Sequence, residues 1–270
     1  MTDNDSQMVK DKTRYICGYN AQAAIDVKSG IIVTADIVDN PTDKGAFSQV
    51  IEELKQAVPA ESIKKVYNSS YLADNGYYSG STMDYSRKND LDIYIADGTS
   101  ATLYSEPDKN TKKVKKVSVR ECTIKKDKDG KITLTCPGGI TTDNCKLRKM
   151  HRGKDVYRIR IGANQPECNK CSRYEGCVGR NKKRSKDFEV DQRIVDNCQF
   201  VSDHHEKLHS VTGKRIYAKR MSAIERVFGD TKHNKNFTGF LRRGMGNVKT
   251  EWQLVMMTFN LMRIYKLQRM

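Results

Sequence analysis

The sequence predicts an α/β fold interrupted by a basic, cysteine-bearing module rich in β-structure. Two β-type runs flank Lys28-Ser29-Gly30 and are followed by a stretch with the 3.6-residue apolar period of a helix. After about Pro107 the composition turns lysine-dense, and six of the eight cysteines fall between Cys122 and Cys177. The last quarter of the chain then returns to helical spacing. Strands and helices therefore frame an insertion of different character.

The totals narrow the partners. Across 270 residues, 49 Lys and Arg oppose 33 Asp and Glu, a formal charge of +16. Such a surplus points to a polyanion, nucleic acid first and an anionic membrane surface second. No apolar run approaches the ~20 residues of a membrane-spanning helix. The opening MTDNDSQMVKDK has neither a signal-peptide nor a transit-peptide pattern, so residues 1–13 read as a polar leader and the protein as cytoplasmic. In that reducing compartment cysteines are free thiols or metal ligands rather than disulfides.

In chain order, residues 21–27 and 31–38 form a hairpin with Asp26 beside its turn. Asn40-Pro41 ends it. A helix starts at Asp43, because Phe47, Val50, Ile51, Leu54 and Val58 share one face, and Pro59 stops it. Residues 65–73 read as a strand whose C-terminal end delivers Asp74 into the turn Asn75-Gly76. That is where α/β sheets place active groups, although turn aspartates are also routine there. A short helix (81–89) and a strand (91–96) follow.

The insertion, taken as residues 107–200, carries a hairpin signal at Asp129-Gly130 between the runs 117–125 and 131–135. Lys112, Lys113, Lys115 and Lys116 precede it. Two further basic clusters follow: Lys146, Arg148, Lys149, Arg152 and Lys154, then Arg180, Lys182, Lys183, Arg184 and Lys186. Each reads as a solvated face or as a set of phosphate contacts. Cys168-x2-Cys171-x5-Cys177 supplies three thiolates, with Cys136 of Cys136-Pro137-Gly138-Gly139 as fourth candidate for a structural Zn²⁺. Cys122 and Cys145 are its alternatives, and unliganded thiols are the plain one.

Residues 188–208 read as mixed helix and 210–214 as a turn. The next helix puts Tyr217, Met221, Ile224 and Phe228 on one face, with Glu225 at the stripe's edge and Lys232 two turns further on. A carboxylate against a core needs compensation; the plain alternative is a boundary glutamate paired with Arg226 or Lys232. The helix from about Val248 is apolar nearly all round, which predicts burial on every side.

The motifs GYNAQAAID, GIIVTADIVDNPTDKG, ADNGYYSG, CPGG with C-x2-C-x5-C, IERVFGDTKHNKNF, FLRRG and EWQLVMMTFNL together resemble the DDE transposases of bacterial insertion sequences, over nearly all of residues 14–265. The resemblance implies an RNase H-like (retroviral-integrase-like) α/β fold, with core parts at 14–106 and 201–270. It implies catalytic Asp74 and Glu225 holding Mg²⁺ or Mn²⁺, and accessory Tyr217, Arg220 and Lys232. The turn residues Arg242 and Arg243 join them as DNA contacts. It further implies DNA ends of the element itself as partner, no membrane, and a bacterial, nucleoid-associated location; a homo-oligomer is compatible with it. One departure stands out. The first strand with its Asp-Gly-Thr aspartate has no counterpart before Gly18, and Asp97-Gly98-Thr99 comes after Asp74. The expectation is a fold lacking its first strand, N-terminally truncated and impaired as an isolated chain, or else an inactive DNA-binding remnant that inhibits the full-length enzyme.

Overall fold

The computed structural model of the chain describes residues 3–11, 14–98, 116–150, 154–162, 166–178 and 185–269. Thr99 and the basic residues Lys112, Lys113, Lys115, Arg152, Arg180, Lys182, Lys183 and Arg184 lie outside them. The chain mixes helix and sheet and divides into two compact units. One comprises Met1–Tyr77, Asn89–Ile95 and Ser210–Met270; the other comprises Tyr78–Lys88 and Ala96–His209. The insertion boundaries expected at 107 and 200 thus differ from the observed divisions.

In the first unit, strands β1 (Gln7–Asp11) and β2 (Arg14–Gly18) pair antiparallel. Residues 7–11 are therefore strand, where the sequence suggested only a polar leader. Charged composition does not prevent strand formation when both faces of a ribbon meet solvent. Two leader aspartates are also anchored: Asp3 accepts the Tyr19 hydroxyl, and Asp5 Oδ2 accepts the Met245 N–H at 2.8 Å.

Strands β3 (Asn20–Ile25) and β4 (Ile32–Val38) form the expected hairpin. Its turn is closed by Asp26, whose carboxylate accepts the Lys28 and Ser29 N–H groups at 3.3 and 2.8 Å. Helix Ala46–Ala57 follows, burying Phe47 and Ile51. The stretch expected as one long strand is split: Ile63–Tyr67 is helical, and only Ser70–Ala73 extends as β5, parallel to β6 (Asp92–Ile95). The run Ile63-Lys64-Lys65-Val66-Tyr67 can present its apolar residues with either period, a local ambiguity decided by tertiary packing.

The core of this unit joins Ile32 and Ile37 of β4 to Val227, Val248, Trp252, Met256 and Phe259. Trp252 stacks on Phe228 at 6.0 Å between centroids and donates its indole N–H to Gln22 O at 2.8 Å. Asn260 gives both amide groups to Ile32, accepting its N–H and donating to its carbonyl, each at 2.8 Å. Trp252 and Asn260 lie on the terminal helix Met245–Leu267. That helix is buried along one stripe only, because β4 is the partner it packs on most extensively; Leu254, Met257, Leu261, Met262, Ile264 and Tyr265 on its remaining surface are exposed. The sequence-based expectation of burial on every side is corrected accordingly.

The helical segment preceding it is not uniform. Ser210 caps helix Val211–Arg220 by accepting the Gly213 N–H at 3.0 Å, so 210–214 begins a helix rather than a turn. A π-helical turn at Met221–Glu225 then interrupts the α-helix before Arg226–Gly229, and another spans Asp230–Asn234. A π-turn inserts a residue and rotates the phase of everything beyond it. Val227 and Thr231, beyond it, are buried, and Met221, at its start and expected in the core, is 53% exposed; Tyr217, ahead of it, is buried.

Among its described residues the second unit has two antiparallel sheets. One orders β7 (Thr123–Lys126), β8 (Ile132–Thr135) and β9 (Thr141–Thr142) around the Asp129-Gly130 turn, with Gly130 at φ 81°. The other orders β10 (Cys145–Arg148), β11 (Val156–Gly162) and β12 (Ser185–Asp191). Ser118–Glu121, expected as strand, is a 3-10 turn held by a reciprocal Ser118/Glu121 capping box. Residues 188–191 belong to β12; helices occupy Gln192–Asp196 and Cys198–His209. Leu134, Ile159 and Val195 are fully enclosed in its core.

Candidate functional site

Asp74 is the first residue past β5, and its Oδ1 accepts the Gly76 N–H at 2.7 Å, an Asx turn that fixes the carboxylate beside the strand end. A second carboxylate, Asp43, approaches from the loop ahead of helix Ala46–Ala57. Its Oδ1 accepts Asn20 Nδ2 at 3.1 Å and Gln22 Nε2 at 2.8 Å, both side chains standing on β3. Gln22 Oε1 in turn accepts the Tyr77 hydroxyl. The amides of GYNAQ thus act as clamps for Asp43, a role the sequence did not disclose.

Gly76 reports how close the two acids come. A Cβ placed there would lie 2.7 Å from Asp43 Oδ2 and 2.9 Å from Asp74 Oδ1. Only glycine leaves both carboxylates their space. Among the described residues no Lys or Arg pairs with either acid. Burial first, then the charges of Asp43 and Asp74, push the Tyr77 phenol well above its usual range, so it remains a neutral donor to Gln22.

Asp43 and Asp74 line a cavity of about 950 Å³ together with Asp26, Arg220 and Glu225. Its walls are β3 from Asn20 to Val27, β5, the apolar face of helix Ala46–Ala57, and Ala223, Ile224 and Phe228. The sheets β3–β4 and β5–β6 are not hydrogen-bonded to each other among the described residues. Glu225 ends the π-turn and is exposed, with its side chain 3.6 Å from Arg220. That exposure differs from the sequence-based expectation of a carboxylate held against a core. Among the described residues, Asp43, Asp74 and Glu225 do not bring three carboxylate oxygens within 4.8 Å of one another.

The accessory candidates divide by burial. Tyr217 is enclosed, Arg220 packs over its ring at 5.6 Å, and Arg220 Nε is buried without a hydrogen-bond partner among the described residues. Lys232, Arg242 and Arg243 are exposed, and Glu251 accepts the backbone N–H groups of Leu241 and Arg242. In the second unit, Cys136 Sγ and Cys171 Sγ flank Gly138, where a Cβ would stand 3.7 and 3.0 Å from them. The Arg173 N–H donates to Cys171 Sγ at 3.4 Å. Burial and the nearby Cys136 raise the Cys122 thiol to about 12. Among the described residues no three of the sulfurs of Cys136, Cys168, Cys171 and Cys177 come within 4.8 Å of one another.

Comparison with curated proteins and with solved structures gives no match. A family model described as "Transposase DDE domain" matches residues 135–265. The matched stretch contains Cys136, Cys168, Cys171, Cys177, Tyr217, Arg220, Glu225, Lys232, Arg242 and Arg243, and leaves Asp43 and Asp74 outside. Over these residues the chain is similar to the DDE-type transposases.

Proposed function

We propose that the chain acts on DNA through the carboxylate centre of a DDE transposase, supporting metal-dependent strand cleavage and transfer at the ends of its own insertion element. Asp74 and Glu225 are the catalytic acids in this reading, and Asp43 joins them as a third carboxylate. The observation that carries it is the convergence of Asp43 and Asp74 on Gly76, with no Lys or Arg among the described residues paired with either. Hard carboxylate oxygens are what Mg²⁺ or Mn²⁺ prefers. When bound, such ions activate a water or 3′-hydroxyl and stabilise the leaving oxygen of a phosphodiester. Arg220, with its orphaned Nε, and exposed Lys232, Arg242 and Arg243 then serve as phosphate contacts, with Tyr217 holding Arg220 in place.

The cavity between β3 and β5 supports the finer structural reading. It is the space in which an RNase H-like sheet would hold one more strand, flanked by helices on both faces. Protein interiors do not leave about 950 Å³ unfilled as a rule, since voids larger than a water are few. A structural zinc on Cys136, Cys168, Cys171 and Cys177 belongs to the same reading, supported by the shared approach of Cys136 and Cys171 to Gly138. A homo-oligomer also belongs to it, supported by the exposed apolar face of the terminal helix.

A second reading, a DNA-binding remnant without catalysis, is favoured by exposed Glu225 and the unclosed acid set. Nicking of supercoiled plasmid with Mg²⁺ or Mn²⁺ separates the two. Metal-dependent nicking lost in an Asp74→Ala/Glu225→Ala double variant supports catalysis. DNA binding without nicking supports the remnant, and neither binding nor nicking removes both.

A further inference from the structure

The proposed transposase chemistry leaves one cluster of the second unit unused: Asp97, His205 and His209. Asp97 lies just past β6 and is 3% exposed, an unusual degree of burial for a carboxylate. His205 and His209 stand at i and i+4 on helix Cys198–His209, so they share a face, with ring centroids 4.2 Å apart. Both present Nε2 to the same carboxylate oxygen. Asp97 Oδ2 is 3.5 Å from His205 Nε2 and 3.4 Å from His209 Nε2. Each of the three donor atoms lies within 4.8 Å of the others.

These distances bear on two explanations. A charge-assisted N–H···O bond closes to ~2.7–2.9 Å, which neither contact reaches. Donors around a tetrahedral ion with ~2.0–2.1 Å metal–ligand bonds stand roughly 3.3–3.4 Å apart, the edge of that tetrahedron. The two Asp–His separations fall at that edge, which for His209 is also the long end of hydrogen-bond range. The backbone of Asp97 is also braced, because Arg120 Nη1 donates to its carbonyl oxygen at 2.5 Å. His205 is about half exposed, which gives an ion access from solvent and room for a fourth, non-protein ligand.

We propose that Asp97, His205 and His209 form a three-ligand site for a borderline transition-metal dication of the Zn²⁺/Co²⁺ class, with water completing a tetrahedron. Two imidazoles and one carboxylate suit such an ion better than Mg²⁺, which takes oxygen donors in octahedral array. The ion ties the C-terminal turn of helix Cys198–His209 to the segment after β6. The site uses none of the carboxylates or cysteines assigned above, so it stands or falls independently of the proposed function.

The test is a Co²⁺ titration of the full chain after metal removal, followed by visible absorption and by metal content after desalting. A nitrogen/oxygen site gives d–d bands without the near-ultraviolet thiolate charge-transfer band that cysteine ligation produces. The His205→Ala and His209→Ala variants each lose this thiolate-free component and bind Co²⁺ at least 10-fold more weakly, while Cys168→Ser/Cys171→Ser retains it. Because His205 is half exposed, His205→Ala should keep the far-ultraviolet circular dichroism of the parent, which shows that the fold survives. Absence of a thiolate-free Co²⁺ spectrum, or its persistence in both histidine variants, overturns the proposal.

Discussion

Gly76→Ala is the sharpest structural probe of the acidic centre. The added methyl would stand 2.7 Å from Asp43 Oδ2 and 2.9 Å from Asp74 Oδ1. Ordinary carbon contacts begin near ~3.5 Å, so both carboxylates, or the loop, must retreat by roughly 0.6–0.8 Å. Overpacking of this kind costs typically about 1–3 kcal/mol. A displacement approaching 1 Å at a metal centre costs up to ~10²-fold in rate. Gly229→Ala is the matched control: it lies in helix Arg226–Gly229, and no described residue comes within 4 Å of the new Cβ. That change should stabilise the chain by about 0.5–1 kcal/mol, because alanine is the better helix former. Urea unfolding of both variants measures stability, and Mn²⁺ affinity measures the site. A Gly76→Ala variant as stable as the parent with unaltered Mn²⁺ affinity would refute the close approach of the two acids.

Other consequences follow from the packing and the charges. Met256→Ala, at 2% exposure, should cost about 2–5 kcal/mol, whereas Leu261→Ala, 60% exposed on the same helix, should stay within ~0.5 kcal/mol in urea unfolding. Equal costs would show that the terminal helix is enclosed. Asn260→Leu removes both hydrogen bonds to Ile32 and strands its backbone groups, an expected loss of about 2–4 kcal/mol by the same measurement. Burial, with Asp36 beside it, raises Glu53 from 4.5 to about 7. Between these values the folded state holds a proton that the unfolded chain has released, so stability should fall as pH rises from 4.5 to 7 and level off above. Asp36 is shifted downward from 3.8, so its own contribution is lost only on acidification below that window. Glu53→Gln should flatten the 4.5–7 slope in pH-dependent thermal unfolding; an unchanged slope would exclude Glu53 as its source.

The sequence carried the fold where local signals agreed with packing. The Lys28-Ser29-Gly30 hairpin, the helix through Phe47 and Ile51, and the Asp129-Gly130 turn are set by neighbours in the chain, and those signals are short-range. The errors came where the deciding feature leaves no pattern in the segment itself. Residues 7–11 become a strand because residues 14–18 pair with them. Met221 opens a π-turn that shifts the helix phase, and no residue in Met221–Glu225 announces that insertion. Leu261 and Tyr265 are exposed although their composition suits a core, since amphipathic pattern cannot say how many neighbours a helix has.

Of the two acids that meet at Gly76, Asp74 stood out in the sequence as a motif residue, but Asp43 did not. It stands in Asn40-Pro41-Thr42-Asp43, where an aspartate reads as a turn residue, and only the Asn20 and Gln22 clamps distinguish it. The His205/His209 pair did leave a sequence trace in its i, i+4 spacing. Its third member, Asp97, is more than 100 positions away and has no local signature.

The most direct measurement is a Mn²⁺ titration of the full chain monitored by electron paramagnetic resonance, comparing the parent with Asp43→Asn and Asp74→Asn. Each substitution keeps the shape and removes one charge from the shared space. If the two acids hold one divalent ion, both variants should bind at least tenfold more weakly than the parent, about 1.4 kcal/mol or more. Parent-like Mn²⁺ affinity in both variants would contradict the account.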